Sequence, residues 1–115
     1  MAPKLAYTIL FVADMDRAVK FYRDTVGMTL KFQSPGWSEF ATGETTLALH
    51  AAEADHPAGH VRLGLNVPDL HAFYDGMRAA GVKFSMPPTK QGFGGELAEM
   101  IDSEGAHLSI GGSAK

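Results

Sequence analysis

The sequence contains no cysteine. The chain therefore has no disulfide, no thiolate nucleophile and no thiolate metal ligand, a composition that fits a cytoplasmic protein. No apolar run approaches the ~20 residues that a membrane-spanning helix needs. The few residues before the first predicted strand leave no room for a signal peptide. We therefore expect a cytoplasmic protein without a membrane partner.

Basic residues are scarce as well. Ten Lys and Arg residues stand against 13 Asp and Glu residues, and the formal net charge is −3. No cluster of basic residues interrupts this balance, so the chain lacks the positive field that attracts nucleic acid. A hydrophobic fraction of 45% over 115 residues is typical of an ordinary globular protein. The sequence thus predicts a single domain over residues 1–115 that does not bind nucleic acid.

An internal repeat is the most informative feature that the sequence does contain. Residues 7–27 recur in outline as residues 62–81, with Asp14 corresponding to Asp69. Each copy reads as an alternating apolar strand, an aspartate that caps a helix, an amphipathic helix and a closing glycine. The repeat predicts two copies of one module, at about residues 4–52 and 60–112.

Each module carries further strand patterns after its helix. Alternating apolar residues predict four strands in each, at residues 5–12, 29–33, 37–41, 45–50, 60–67, 83–85, 96–102 and 106–110. The helices begin at Asp14 or Asp16 and at Asp69, and they end at Gly27 and Gly81. The order βαβββ, repeated once, predicts an α+β fold in which two paired modules form a curled sheet around a shared cleft.

The first-helix motif of residues 12–27 and the turn from Asp102 to Gly105 resemble the vicinal oxygen chelate superfamily. Its members include glyoxalase I, bleomycin-resistance proteins, extradiol dioxygenases and methylmalonyl-CoA epimerase. The resemblance extends over nearly the whole chain and implies the glyoxalase/bleomycin-resistance/dioxygenase fold. Because this fold supports isomerases, lyases, oxygenases, transferases and simple binders, the resemblance alone does not set the function.

The resemblance also indicates where a divalent metal would be held. In the enzymes, one ligand comes from the first strand and one from a late strand of each module, and it is His, Gln or Glu. The matching positions here are Tyr7, Ala48, Arg62 and Ser109. An arginine has no lone pair to give to a metal. We therefore expect no metal and no other cofactor.

Three histidines leave a metal possible. His50, His60 and His107 each lie two residues from one of those positions, so strand alternation places them on the same face. Imidazole is the commonest metal ligand in neutral proteins, and a divalent metal, if bound, would have His50 and His60 as candidate ligands. The alternative is that these histidines form local hydrogen bonds at the rim of the cleft.

Aromatic and charged residues on the predicted strands suggest a binding site. Trp37, the only tryptophan, offers a stacking wall for a flat ligand or else belongs to the core or a dimer interface. Arg62 would bind a carboxylate or phosphate, or pair with Glu39 or Glu99. Glu99 would be a general base if it faces the cleft. The candidate ligand-binding residues are Tyr7, Trp37, Glu39, His50, His60, Arg62, Phe93 and Ser109.

Phe93 lies in a glycine-rich segment, residues 92–95, which acts either as a lid over the pocket or as a turn closed by the phenylalanine. The segment lacks the strand–helix context of a phosphate-binding loop.

Two functions follow from these observations. The first is a small-molecule-binding protein of the glyoxalase/bleomycin-resistance type, metal-independent, which sequesters a bulky or aromatic ligand in a cleft. Bleomycin-resistance proteins are homodimers, so a homodimer is expected, and antibiotic resistance is one possible role. The alternative is a metal-dependent glyoxalase or lyase, epimerase or dioxygenase-like enzyme with a non-standard ligand set.

Overall fold

The computed structural model describes residues 2–112. Within this range the chain divides into two compact units. The first unit comprises residues 6–61, and the second comprises residues 62–112 together with residues 2–5. No helix within residues 2–112 has the length and apolar character needed to cross a membrane.

The first unit has the predicted order of elements. Its helical segment starts as the α-helix α1, Met15–Lys20, and continues as a π-helix, Phe21–Val26. Its four strands are β1 Lys4–Val12, β2 Thr29–Phe32, β3 Trp37–Ala41 and β4 Thr46–Ala51. They lie in the order β2-β3-β4-β1, with β1 parallel to β4 and the other pairs antiparallel.

The second unit repeats this arrangement. Its elements are β5 Val61–Val67, α2 Leu70–Ala79, β6 Lys83–Lys90, β7 Glu96–Ile101 and β8 His107–Gly112. The strand order is β5-β8-β7-β6, with β5 parallel to β8 and the other pairs antiparallel. The βαβββ order predicted for each copy of the repeat is therefore confirmed.

Both helices begin and end as the sequence predicts. Asp14 Oδ1 accepts a hydrogen bond from the Arg17 N–H at 3.1 Å, and Asp69 Oδ1 accepts one from the Ala72 N–H at 3.1 Å. Each carboxylate thus satisfies a backbone donor that the first helical turn leaves without a partner. Gly27 follows the first helical segment with φ +90°, a backbone conformation that an L side chain rarely adopts.

β6 shows the largest departure from the sequence prediction. The sequence predicted a strand at residues 83–85 and left Pro87 and Pro88 outside it, whereas β6 runs through both prolines to Lys90. Proline cannot donate a ladder hydrogen bond, but β6 is the edge strand of this unit, where such a donor is not needed. Its register against β7 shifts on both sides of Met86, so the prolines are accommodated by irregular pairing.

Each unit packs its helix against one face of its sheet. The first core consists of Val12, Val19, Phe40 and Leu49. The second consists of Val67, Leu70, Ala98, Leu108 and Ile110. Because strand side chains alternate, the residues between these core positions point to the opposite face, which we call the helix-free face of each sheet.

The strand pairing within each unit follows an equivalent register. Ala48 of β4 is paired with Glu39 of β3, and Ser109 of β8 is paired with Glu99 of β7. Glu39 and Glu99 therefore occupy equivalent positions in the two copies. The side chains around these two glutamates can therefore be compared position by position.

Candidate functional site

The four positions at which the resemblance places metal ligands carry no suitable donor set. Ala48 has no donor atom and is fully buried. Arg62 Nη2 lies 2.8 Å from Glu99 Oε2, so this cation is held by a carboxylate. Tyr7 and Ser109 offer only hydroxyl groups. A catalytic divalent metal normally has three protein ligands with available lone pairs, and these residues do not fit one.

The two candidate metal-ligating histidines lie in different surroundings. The His50 Nδ1–H donates to the Ala51 carbonyl oxygen at 2.7 Å, and His50 Nε2 lies 3.7 Å from Glu53 Oε1. His60 is exposed and precedes β5, rather than lying in it as the sequence predicted. Within residues 2–112, no group of three His, Asp or Glu side chains is placed to hold a metal ion.

Three aromatic rings meet on the helix-free face of the first unit. Tyr7 and Trp37 have ring centroids 5.8 Å apart at 69°, and Trp37 and His50 have centroids 5.9 Å apart at 88°. Trp37 and His50 are directly paired across β3 and β4, which brings their rings together. All three side chains are half-buried. We call Tyr7, Trp37 and His50 the aromatic corner.

The aromatic corner rests on a closely packed apolar layer. Ile9, Phe11 and Ala48 are buried on the same face, and Tyr7 and Trp37 pack against them. The Phe11 ring also contacts two imidazoles, with centroids 4.9 Å from His50 and 4.8 Å from His56. Layers of this density hold side chains in fixed rotamers, so the rings are positioned in advance of any ligand.

A carboxylate borders the aromatic corner. The Trp37 Nε1–H donates to Glu39 Oε2 at 2.8 Å. Lys31 Nζ lies 3.5 Å from Glu39 Oε1. The Glu39 side chain is only 13% exposed, whereas that of Lys31 is 49% exposed. The hydrogen bond fixes the plane of the indole and places a negative charge at its edge.

The helix-free face of the second unit is ionic instead. Glu99 contacts Arg62 as described, accepts a hydrogen bond from Ser85 Oγ at 2.6 Å, and lies 3.0 Å from His107 Nδ1. We call Arg62, Ser85, Glu99 and His107 the ionic cluster. Arg62 was expected to pair with either glutamate or with a ligand, and the structure pairs it with Glu99.

The ionic cluster changes the acidity of Glu99. Burial is the largest influence and raises the pKa of this carboxyl, but the hydrogen bonds from Ser85 and His107 and the charge of Arg62 together hold the pKa below its ordinary value. A carboxylate with a lowered pKa is a weak proton acceptor at neutral pH. The geometry therefore suits an anion that positions Arg62 better than it suits a general base.

Two side chains that contact Glu39 or Glu99 were not assigned to a site from the sequence. Ser85 lies where the register of β6 shifts between Phe84 and Met86, and Lys31 lies where that of β2 shifts between Leu30 and Phe32. Each of these irregular positions brings a polar side chain to the glutamate of the next strand. No sequence signal marks such a shift. His107 also contacts Glu99. Its position two residues before Ser109 was the available signal, because strand alternation places both on the same face.

Phe93 and Ser109, the remaining candidates, lie in the second unit. Ser109 is half-buried on β8 and pairs with Glu99. Phe93 is 72% exposed at the tip of the β6–β7 hairpin, and a Cβ atom at Gly95 would lie 2.5 Å from Phe93 Cε1. The phenyl ring therefore lies against Gly95 in this conformation. Whether the segment also moves as a lid stays a prediction.

Two surface grooves in the first unit lie beside α1. One, of about 350 Å³, is lined by residues 10–14, 17–18, 21–22 and 58–59. The other, of about 680 Å³, is lined by residues 13–16 and 33–35. None of the candidate ligand-binding residues lines either groove. The first groove is lined by the rings of Phe11, Phe21 and Tyr22, but neither groove has a ring hydrogen-bonded to a carboxylate as Trp37 is to Glu39. The aromatic corner is therefore the better candidate site.

The sequence comparisons identify a family. The family model of the Glyoxalase/Bleomycin resistance protein/Dioxygenase superfamily matches residues 4–105. None of the curated proteins compared with the chain matches it.

Solved structures share the fold. A hypothetical protein from Bacillus halodurans C-125 superposes with a TM-score of 0.80 at 14% identity, covering 100% of this chain and 97% of its own. Methylmalonyl-CoA epimerase from Mycobacterium tuberculosis gives a TM-score of 0.76 at 19% identity, covering 96% and 88%. The Streptomyces coelicolor epimerase in complex with 2-nitronate-propionyl-CoA gives 0.77 at 17% identity, covering 97% and 98%.

At these identities the structural likeness establishes the α+β fold and no activity. The family match, in contrast, covers most of the chain and agrees with the repeat and the helix motif from which the resemblance was drawn. The chain belongs to the glyoxalase/bleomycin resistance protein/dioxygenase superfamily.

Proposed function

We propose that this chain is a small-molecule-binding protein that holds a bulky, aromatic ligand against the aromatic corner without a metal. The observation that carries the proposal is the donor set at the family's ligand positions. Ala48 has no donor atom there, and Arg62 is a cation bound to Glu99. A divalent cation placed among these residues would meet a methyl group and a positive charge.

The aromatic corner supplies what a binding protein needs in place of a metal. Tyr7 and Trp37 present half-buried rings, and offset or edge-on stacking of a further ring contributes about 0.5–1.5 kcal/mol beyond the area that it buries. The buried layer of Ile9, Phe11 and Ala48 supports those rings, so little side-chain entropy is lost on binding.

The alternative, a metal-dependent glyoxalase, lyase, epimerase or dioxygenase-like enzyme, is supported by the fold that the chain shares with methylmalonyl-CoA epimerases. It would require His50 or His60 to act with Glu39 or Glu99. His50 instead donates to a backbone carbonyl, Glu39 accepts from Trp37, and Glu99 is held by Arg62. These contacts favour the binding protein.

The proposal includes a homodimer that acts in the cytoplasm, with antibiotic resistance as one role that sequestration of a small molecule serves. The resemblance to bleomycin-resistance proteins supports the homodimer. The cysteine-free composition supports the cytoplasm.

Replacing Trp37 with Ala is expected to weaken the binding of a neutral bicyclic aromatic such as 1-naphthol tenfold or more, because the stacking wall is lost. Trp37→Phe, which keeps a ring, should lose less. Isothermal titration calorimetry measures both affinities without relying on the indole, and circular dichroism checks the fold. Equal affinity for the wild type and Trp37→Ala would assign Trp37 to packing alone.

A further inference from the structure

We infer that the aromatic corner and Glu39 select a cationic aromatic ligand, whose positive charge lies beside the Glu39 carboxylate and over the indole of Trp37. This inference rests on the proposed binding function and adds the charge of the ligand to it. Three observations within the first unit carry the inference, and the equivalent glutamate of the second unit provides an internal comparison.

The first observation is that Glu39 is weakly neutralised. Its hydrogen-bond donor is the uncharged indole of Trp37, at 2.8 Å. Its cation, Lys31, lies 3.5 Å away, beyond the usual range of an N–H···O hydrogen bond, on a side chain that is half exposed. Ion pairs of this kind contribute little, because water and salt screen them and the lysine loses freedom on pairing.

Glu99, the equivalent carboxylate of the second unit, is neutralised more fully. Glu99 has a guanidinium at 2.8 Å, a hydroxyl at 2.6 Å and an imidazole at 3.0 Å. The exposed fractions of the two side chains are similar, 13% for Glu39 and 19% for Glu99. The first unit therefore keeps a nearly buried negative charge without the compensation that the second unit provides.

The second observation is the position of this charge relative to the rings. Trp37 Nε1 is the atom that contacts Glu39, so the carboxylate lies at the edge of the indole. A cation is attracted to the face of an indole when it lies within about 6 Å of the ring centroid. A cation in that position would also be close to the carboxylate at the ring edge, so both attractions act on the same charge.

The third observation is the exposure of the groups beside Glu39. The indole of Trp37 is half-buried, so part of it is accessible to a ligand, and the Tyr7 and His50 rings stand edge-on to it at 69° and 88°. Lys31 is exposed and can turn its ammonium group into solvent when another cation approaches Glu39. A planar ring that carries a fixed positive charge can both stack at the aromatic corner and neutralise Glu39. An anion would be repelled by Glu39.

The test compares two bicyclic probes of nearly equal shape, the cation 1-methylquinolinium and neutral quinoline, at about pH 8 and low salt. Quenching of Trp37 fluorescence reports binding of both. The wild type is expected to bind 1-methylquinolinium at least tenfold more tightly than quinoline. Glu39→Gln keeps an acceptor for the indole N–H, and it should lower the ratio of the two affinities to about one.

Two further variants separate a local effect from net charge. Glu44→Gln removes the same charge from an exposed turn of the same unit and should leave both affinities within about twofold. Lys31→Gln removes the competing cation and should tighten 1-methylquinolinium binding two- to threefold. This opposite sign is a result that general destabilisation cannot produce.

The outcomes distinguish the inference from the proposed function. Equal binding of the two probes, with Glu39→Gln unchanged, would overturn the inference and leave an aromatic binding site in place. Absence of quenching by either probe would overturn both.

Discussion

Phe40→Ala is expected to lower the free energy of unfolding by about 3–5 kcal/mol, because the substitution leaves a cavity where a phenyl ring was. Phe40 is 0% exposed and belongs to the core that packs α1 against the first sheet. Its ring centroid lies 6.0 Å from that of Tyr22, in the helical segment above the sheet. The change is measured by urea denaturation followed by circular dichroism.

Phe93→Ala provides the matched control, since it deletes the same side chain from a site that is 72% exposed. Its effect should stay within about 0.5 kcal/mol, as for most surface substitutions. Equal losses of stability in the two variants would contradict the assignment of Phe40 to the core and of Phe93 to the surface.

Arg62→Leu is expected to destabilise the fold by about 1–3 kcal/mol at neutral pH. The substitution removes the cation 2.8 Å from Glu99 in a pair whose side chains are only 14% and 19% exposed. The loss should stay below that of a wholly buried pair, because Ser85 and His107 still contact the carboxylate. Arg23→Leu breaks an exposed pair with Asp24, at 2.7 Å, and should leave stability unchanged within error.

The effect of Arg62→Leu should also depend on pH. The pKa of Glu99 lies below its ordinary value in the folded protein. Such a group stabilises the fold above the pKa of the unfolded chain, about 4.3, and this contribution is lost as the pH falls through the folded pKa. Without Arg62 the pKa of Glu99 rises. The difference between the wild type and Arg62→Leu should therefore be largest near pH 7 and small near pH ~3, as measured by urea denaturation at both. A difference independent of pH would contradict this role.

The regular parts of the fold could be predicted from the sequence because each depends on a local rule. Asp14 and Asp69 cap helices, and Gly27 ends one with a positive φ. Strand alternation likewise placed Tyr7 and Phe11 on the helix-free face, where the structure has them. Because the same rules recur in both copies, the repeat predicted the order of elements in each unit.

The irregular strands could not be predicted in the same way. β6 continues through Pro87 and Pro88, residues that normally argue against a strand, because an edge position removes the need for their missing donors. Edge position is a property of the assembled sheet and is not visible in the local sequence. The predicted strand therefore ended too early.

Only part of the candidate site could be predicted, again because irregular strand pairing is not visible in the sequence. Alternation placed Arg62 on the cleft face but left the direction of Glu99 open, and the pairing of the two was among the alternatives. Lys31 and Ser85 reach Glu39 and Glu99 only where the register of an edge strand shifts. A shift of one residue moves a side chain to the other face of a sheet. Such contacts can therefore be recognised only when the strand pairing is known.

Thermal melts of the untagged protein, with EDTA and with added Zn²⁺, Ni²⁺, Mn²⁺ or Fe²⁺, test metal independence most directly, together with its metal content as purified. We expect metal-free protein whose Tm is the same within error in every sample, because Ala48 and Arg62 occupy ligand positions that a divalent cation cannot use. A bound metal present at 100 times its Kd would stabilise the fold by about 2.7 kcal/mol, a shift on the order of 10 °C. Near-stoichiometric metal with a Tm that falls by that amount on chelation would contradict the proposal and favour the metal-dependent enzyme.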